Sequence, residues 1–168
     1  AVLELGRLLV RQDSIVDVFR SSKHLRFCTP DWVFTTKLVD GRFPDYQRVI
    51  PDEADKLVLV DRELLRQALV RVSILTNEKY KSVRVQAEKG LLRIQANNPE
   101  QEEATEEVPA SYDDETVEIG FNSTYLMDVL ATVKTQNVEI RLSDPNSCCL
   151  ITGENDSSSK YVVMPMRL

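Results

Sequence analysis

Glycine is scarce in this sequence, with five in 168 residues, and no stretch of the chain forms a glycine-rich phosphate loop. There is a single histidine, His24, and no Ser or Cys nucleophile motif stands near it, so a histidine-dependent triad has no foundation and a structural role is expected for it. The three cysteines, Cys28, Cys148 and Cys149, lack metal-ligand spacing, and the last two are adjacent and badly placed to pair with each other. Reduced thiols of a cytosolic protein are the expectation, with no metal and no cofactor. No apolar run approaches the ~18 residues of a membrane span. Basic residues are outnumbered, 21 Lys and Arg against 27 Asp and Glu for a net charge of -6. That balance excludes a basic coat, but it leaves room for a local basic strip. With so many carboxylates some fall close together by chance, so acidic pairs carry no catalytic signal, and no catalytic residue is assigned.

What is present is a repeat. Three stretches follow one plan, a short amphipathic helix and then three strands. The first runs AVLELGRLLVR, SIVDVFR, HLRFC and WVFTTKL. The second runs DRELLRQALVRVSIL, KSVRVQA, LLRIQAN and EATEEVPA. The third runs NSTYLMDVLATV, NVEIRLS, SCCLITG and KYVVMPM. Strand assignments rest on alternation: Val83 and Val85 point one way, Ser82, Arg84 and Gln86 the other. Repeated units of one design share a sheet or a curved surface, which makes shape the expected output and not a pocket. The second and third helices are preceded by strands at 57–60 and 116–121; the first is not, and the chain is expected to be the C-terminal piece of a longer protein. Residues 39–56, with Gly41, Pro44 and Pro51 among acids, read as an extended connector. The polar tract GENDSSS reads as a loop, and Trp32 as core.

On a helical wheel Leu64, Leu65, Ala68, Leu69, Val72 and Leu75 fall in one arc of roughly 140°. Arg62 and Arg66 lie opposite, with Arg71 at the edge. Arg7 and Arg11 on the first helix and Lys134 at the end of the third repeat the theme, and beyond Glu4 no nearby acid is expected to consume these charges. A solvated helix face and a phosphate-facing one are both open readings. Val70 and Ile74 break the polar side, and Ile74-Leu75 at the helix end can seed a protein contact. PEQEEATEEV is either an edge protected by charge or a docking edge for a basic partner. The tail KYVVMPMRL is apolar where most tails are frayed; it reads as a last core strand and, beyond Pro165, as a surface able to accept peptides.

The segments FTTKLVDGRFPDYQRVIP, SILTNEKYKSVRV, ANNPEQEEATEEV, EIGFNSTYLMDVL and YVVMPMRL resemble the bacterial sliding clamps, the beta subunits of DNA polymerase III, over almost the full chain. The resemblance implies an α+β clamp fold of repeated helix-plus-three-strand units, with helices lining a channel and antiparallel sheets outside. It implies that 1–50 are the C-terminal half of a middle domain with its connector, and 51–168 a complete last domain. It implies a non-catalytic processivity factor: a head-to-tail homodimeric ring around double-stranded DNA, held by topology without sequence preference. Arg7, Arg48, Arg66, Arg71 and Lys134 would face phosphates. Ile74, Leu75, Glu100, Gln101, Glu102 and Glu106 would form the interface, and Thr105 stands where the family pattern has an acid. Because that edge faces the partner's first domain, this chain alone would not close the ring.

A peptide groove is implied at Pro44, Arg48, Val49, Asn122, Tyr125, Cys148, Val162, Val163, Met164, Pro165, Met166, Arg167 and Leu168. Its implied visitors are the DNA polymerase III catalytic subunit, the clamp loader, translesion polymerases and mismatch-repair proteins. A stand-alone interaction module that ignores DNA is the alternative reading.

Overall fold

The computed structural model describes residues 1–10, 15–41, 45–51, 55–77 and 79–167, with only the backbone at Arg48. The chain divides into two compact units, Ala1–Pro44 and Asp45–Leu168.

In the first unit, helix α1 (Val2–Leu9) precedes an antiparallel sheet of β1 (Asp17–Arg20), β2 (His24–Cys28) and β3 (Val33–Lys37) in that order. Phe27 and Phe34 stack across β2 and β3 with centroids 6.2 Å apart. None of the described residues here is fully buried, and Leu3, Phe19 and Val33 are exposed. Trp32 is half-buried, with an indole N–H that meets no acceptor. His24 is exposed at the start of β2.

The second unit contains two copies of one motif. The first is β4 (Lys56–Asp61), α2 (Arg62–Val72), β5 (Ser82–Glu88), β6 (Leu91–Asn97) and β7 (Glu103–Ser111). The second is β8 (Val117–Asn122), α3 (Ser123–Thr132), β9 (Asn137–Leu142), β10 (Cys149–Gly153) and β11 (Asp156–Val163). All pairings are antiparallel, in the order β11-β10-β9-β4-β7-β6-β5-β8. The copies exchange their leading strands: β4 pairs with β9 and β8 with β5. Each leading strand ends in a short polar residue that caps the helix behind it. Asp61 Oδ1 accepts from the N–H groups of Glu63 and Leu64 at 2.9 Å, and Asn122 Oδ1 accepts from Thr124 at 2.9 Å.

The core lies between the helix layer and one face of the sheet. Alternation directs Val83, Val85 and Ala87 of β5 and Leu92, Ile94 and Ala96 of β6 inward, against Leu65, Leu69 and Val72 of α2 and Leu126 and Leu130 of α3. Leu64, at the margin of the expected apolar arc, is turned outward and is 49% exposed. The tract expected as a polar loop is shorter than that: Glu154 and Asn155 make the turn, with Asn155 in the left-handed region at φ 54°, and Asp156–Ser159 already belong to β11. An edge strand tolerates such polarity because its outward face meets water.

Candidate functional site

Three features of the second unit carry residues expected to act: the outer face of α2, the edge of β7, and the surface around the tail.

On α2 the arginines are more engaged than their sequence neighbours suggest. Arg66 donates from Nε and Nη2 to Glu63 at 3.0 and 2.6 Å. That fork, with a further bond from Gln67, holds the Glu63 carboxyl down to about 2. Arg71 makes an equivalent fork with Glu106 on β7, from Nε at 2.7 Å and Nη2 at 2.8 Å, so this carboxyl too lies below its ordinary range. Arg62, expected on the outer face, is half-buried and donates from Nη1 to the carbonyls of Leu130 and Val133 at 3.2 and 3.1 Å. A guanidinium there satisfies orphan carbonyls at the end of α3 and complements its dipole. The expectation that acids leave these charges alone is therefore corrected for Arg66 and Arg71. Arg7, in the first unit, pairs with Glu4 at 3.4 Å as anticipated. Lys134 is exposed, two residues past the end of α3, and pairs with no acid among the described residues.

Strand β7 is paired with β6 from Glu103 to Pro109, but with β4 only at Ala110 and Ser111. Among the described residues, Glu103–Pro109 thus offers an open edge of unpaired backbone groups. Ile74, in the 3-10 turn Ser73–Leu75 that ends α2, is 78% exposed, while Leu75 is half-buried. Glu100, Gln101 and Glu102 lie exposed in the turn before β7. Asn98 holds this turn: its amide donates to the Glu102 carboxylate at 2.7 Å and its Oδ1 accepts from Glu102 N–H at 2.9 Å. Gln101 sits at φ 64°. Thr105 is exposed on β7 and accepts from Gln95 at 3.4 Å.

The tail passes the start of α3. The Met166 N–H donates to Gly120 O at 2.8 Å, which brings the chain end to β8 two residues before Asn122. Tyr125 and Met164 are 59% and 63% exposed, while Val162, Pro165 and Met166 are half-buried. Arg167 is exposed. Val163 is corrected: it is buried in the core opposite Cys149, because it alternates inward along β11. Asn122 has both amide ends in use, since its Nδ2 donates to Tyr80 O at 3.2 Å while its oxygen caps α3. The Cys148 thiol donates to Val49 O at 3.3 Å, tying the end of the connector to the tail's neighbour strand. Cys149 is wholly buried, and desolvation pushes its thiol up to about 12. All three cysteines are free thiols. Pro44, Leu168, Arg11 and the Arg48 side chain lie outside the described residues.

Residues 47–167 match the family model for the DNA polymerase III beta subunit, C-terminal domain. The chain belongs to that family. It is 53% identical over 167 residues to the beta sliding clamp of Pseudomonas aeruginosa, covering 99% of this chain and 46% of that one. The crystal structure of the DNA polymerase sliding clamp from P. aeruginosa with ligand superposes with a TM-score of 0.83 at 53% identity, over 99% of this chain and 46% of the other. Caulobacter crescentus pol III beta does so with a TM-score of 0.86 at 38% identity, over 99% and 45%. The chain thus spans about half the length of these relatives. Its helices and antiparallel sheets are those of the sliding-clamp fold.

Within the family match lie the open edge of β7, Ile74 and the tail as far as Arg167; Arg7 lies before it. The pairing of Arg71 with Glu106 was not legible from the sequence, where the two are 35 residues apart. One signal does exist. Glu106 shares its alternation with Ala104, Val108 and Ala110, which places it on the helix side of the sheet.

Proposed function

We propose that this chain is part of a ring-shaped sliding clamp, a non-catalytic processivity factor that encircles double-stranded DNA and tethers the replicative polymerase. The observation that carries it is the open edge of β7 together with the exposed Ile74 at the end of α2, in a chain of this family. An inner strand whose second side is unpaired over Glu103–Pro109 has a natural continuation in a strand from another subunit. Ile74 and Leu75 give that joint its apolar centre; Glu100, Gln101, Glu102 and Glu106 give it an acidic rim for a basic partner. Residues 1–50 are half of a middle domain and 51–168 a complete last domain. The lack of any fully buried residue among those described in the first unit supports this, because half a domain leaves its apolar faces for the other half to cover.

Arg7, Arg48, Arg66, Arg71 and Lys134 face the phosphates. A ring held by topology gains nothing from tight contacts, which would act as a brake. Arg66, already forked to Glu63, meets that need, since a phosphate has to compete with the carboxylate for its guanidinium. Tyr125, Met164 and Met166 form the floor of a groove for short linear peptides, with Val49, Cys148, Val162 and Pro165 along its side and Arg167 as its polar anchor. The polymerase catalytic subunit, clamp loader, translesion polymerases and mismatch-repair proteins compete for it in the bacterial cytoplasm. Primer extension on circular single-stranded DNA tests the function. A full-length subunit carrying this chain, with a clamp loader, lengthens the polymerase's products; unchanged product length contradicts the proposal.

A further inference from the structure

Glu106 is the one charged residue in the helix-facing register of β7, between Ala104 and Val108. Its carboxylate is turned toward α2 at the stretch where β7 has no neighbour on its second side. Both of its oxygens are engaged by Arg71, at 2.7 and 2.8 Å. The pair is not sealed from water: the Arg71 side chain is 53% exposed and that of Glu106 29%. Ile74 leaves the helix three residues after Arg71 and is almost entirely exposed.

A strand joining this edge places a side chain opposite Glu106 on the same face of the sheet. If that side chain is cationic it meets a carboxylate whose two oxygens are already taken. A second guanidinium cannot dock fork-on-fork unless Arg71 gives up one or both of its bonds. Arg71, once released, is already at the rim of the polar face of α2 that carries Arg66.

We infer that the Arg71–Glu106 pair is an intramolecular stand-in for a contact across the subunit interface: Arg71 holds the carboxylate while the edge is open, and a cation of the joining subunit displaces it, freeing the guanidinium for DNA phosphate. The inference rests on the sliding-clamp reading. It makes ring closure and the positive charge presented to DNA two sides of one equilibrium. By reciprocity, a phosphate that draws Arg71 away leaves Glu106 for the partner and favours the closed ring. Arg71 is in this sense a positioning residue for the interface as well as a phosphate contact.

The test is the dimer dissociation constant of a full-length subunit carrying this chain, from sedimentation at fixed salt, with and without a short duplex. Arg71→Gln removes the competitor and tightens the dimer by about twofold to fivefold, the range expected of an exposed ion pair. Arg71→Lys keeps the charge, loses the fork and falls between. Glu106→Gln loosens the dimer, and the double variant has the dissociation constant of Glu106→Gln with none of the tightening that Arg71→Gln gives alone, because Arg71 acts on the interface only through Glu106. Short duplex tightens the wild-type dimer more than the Arg71→Gln dimer. An Arg71→Gln dimer no tighter than wild type, or a double variant in which the effects simply add, overturns the inference while leaving the ring intact. A wild-type subunit that remains monomeric overturns the ring itself.

Discussion

Met166 and Gly120 are joined by a backbone hydrogen bond of 2.8 Å that stands in the second motif where the pairing of Leu59 with Ser111 stands in the first. Gly120 and Leu59 each lie two residues before the residue that caps the following helix, Asn122 or Asp61. The end strands of the sheet, β11 and β8, are thereby brought together by the tail. The C-terminal segment is a closing element of the fold as well as a surface. Met166→Pro removes the donor and is expected to lower stability by about 0.5–1.5 kcal/mol. Met166→Leu keeps the bond and costs less. Urea unfolding midpoints of the two variants separate the backbone contribution from the side chain's.

Gly153 ends β10 with no room for a side chain. A Cβ placed there meets Thr135 Oγ1 at 2.7 Å and Cγ2 at 2.9 Å, with Asp156 Cβ at 3.3 Å. Thr135 cannot swing aside without cost, since its hydroxyl donates to Asn137 O at 2.6 Å. Gly153→Ala is expected to destabilise by ~1–3 kcal/mol. Adding Thr135→Ser, which deletes the methyl at 2.9 Å and keeps the hydroxyl, recovers part of the loss; thermal denaturation of the single and double variants is the check.

Ile74 and Leu75 share the proposed interface role but differ in burial, so their alanine variants separate. Ile74 is 78% exposed, and Ile74→Ala leaves stability within about 0.5 kcal/mol while weakening the full-length dimer about tenfold or more. Leu75 is half-buried, and Leu75→Ala lowers both stability and association. Sedimentation at sub-micromolar concentration, beside denaturation curves, distinguishes the two. An intact dimer in the double variant contradicts the assigned joint.

Glu63 gives the acid limb of stability a defined source. Its folded pKa is depressed from 4.5 to about 2 by the Arg66 fork and Gln67. A depressed carboxyl stabilises above its unfolded pKa, and the contribution drains away as pH falls from 4.5 toward 2. Glu63→Gln is expected to show a shallower loss of stability through that window than wild type. Denaturation midpoints between pH 5 and pH 2 provide the check, and equal slopes contradict it.

The two complete motifs were legible because each layer of signal agrees: alternation in β5, β6 and β9, a 3.6-residue stripe on α2, and Asp61 and Asn122 at helix starts. What escaped depends on contacts far apart in sequence. Arg62 is expected on the outer face, yet the end of α3 lies within its reach. Val163 sits among the proposed groove residues in sequence and alternates inward along β11 opposite Cys149. The ion pair of Arg71 with Glu106 needs the helix laid over the sheet before it exists. Asp156–Ser159 read as a loop by composition and are held in a strand by β10. Tertiary context overrides propensity most easily at such edges.

Topology is the claim on which the functional reading turns, and retention on DNA tests it most directly. A full-length subunit carrying this chain is loaded onto nicked circular DNA by a clamp loader and passed through gel filtration before and after the circle is linearised. A sliding ring stays with the circles and is lost once the DNA has ends. Equal retention on circular and linear DNA contradicts encirclement and marks ordinary electrostatic binding.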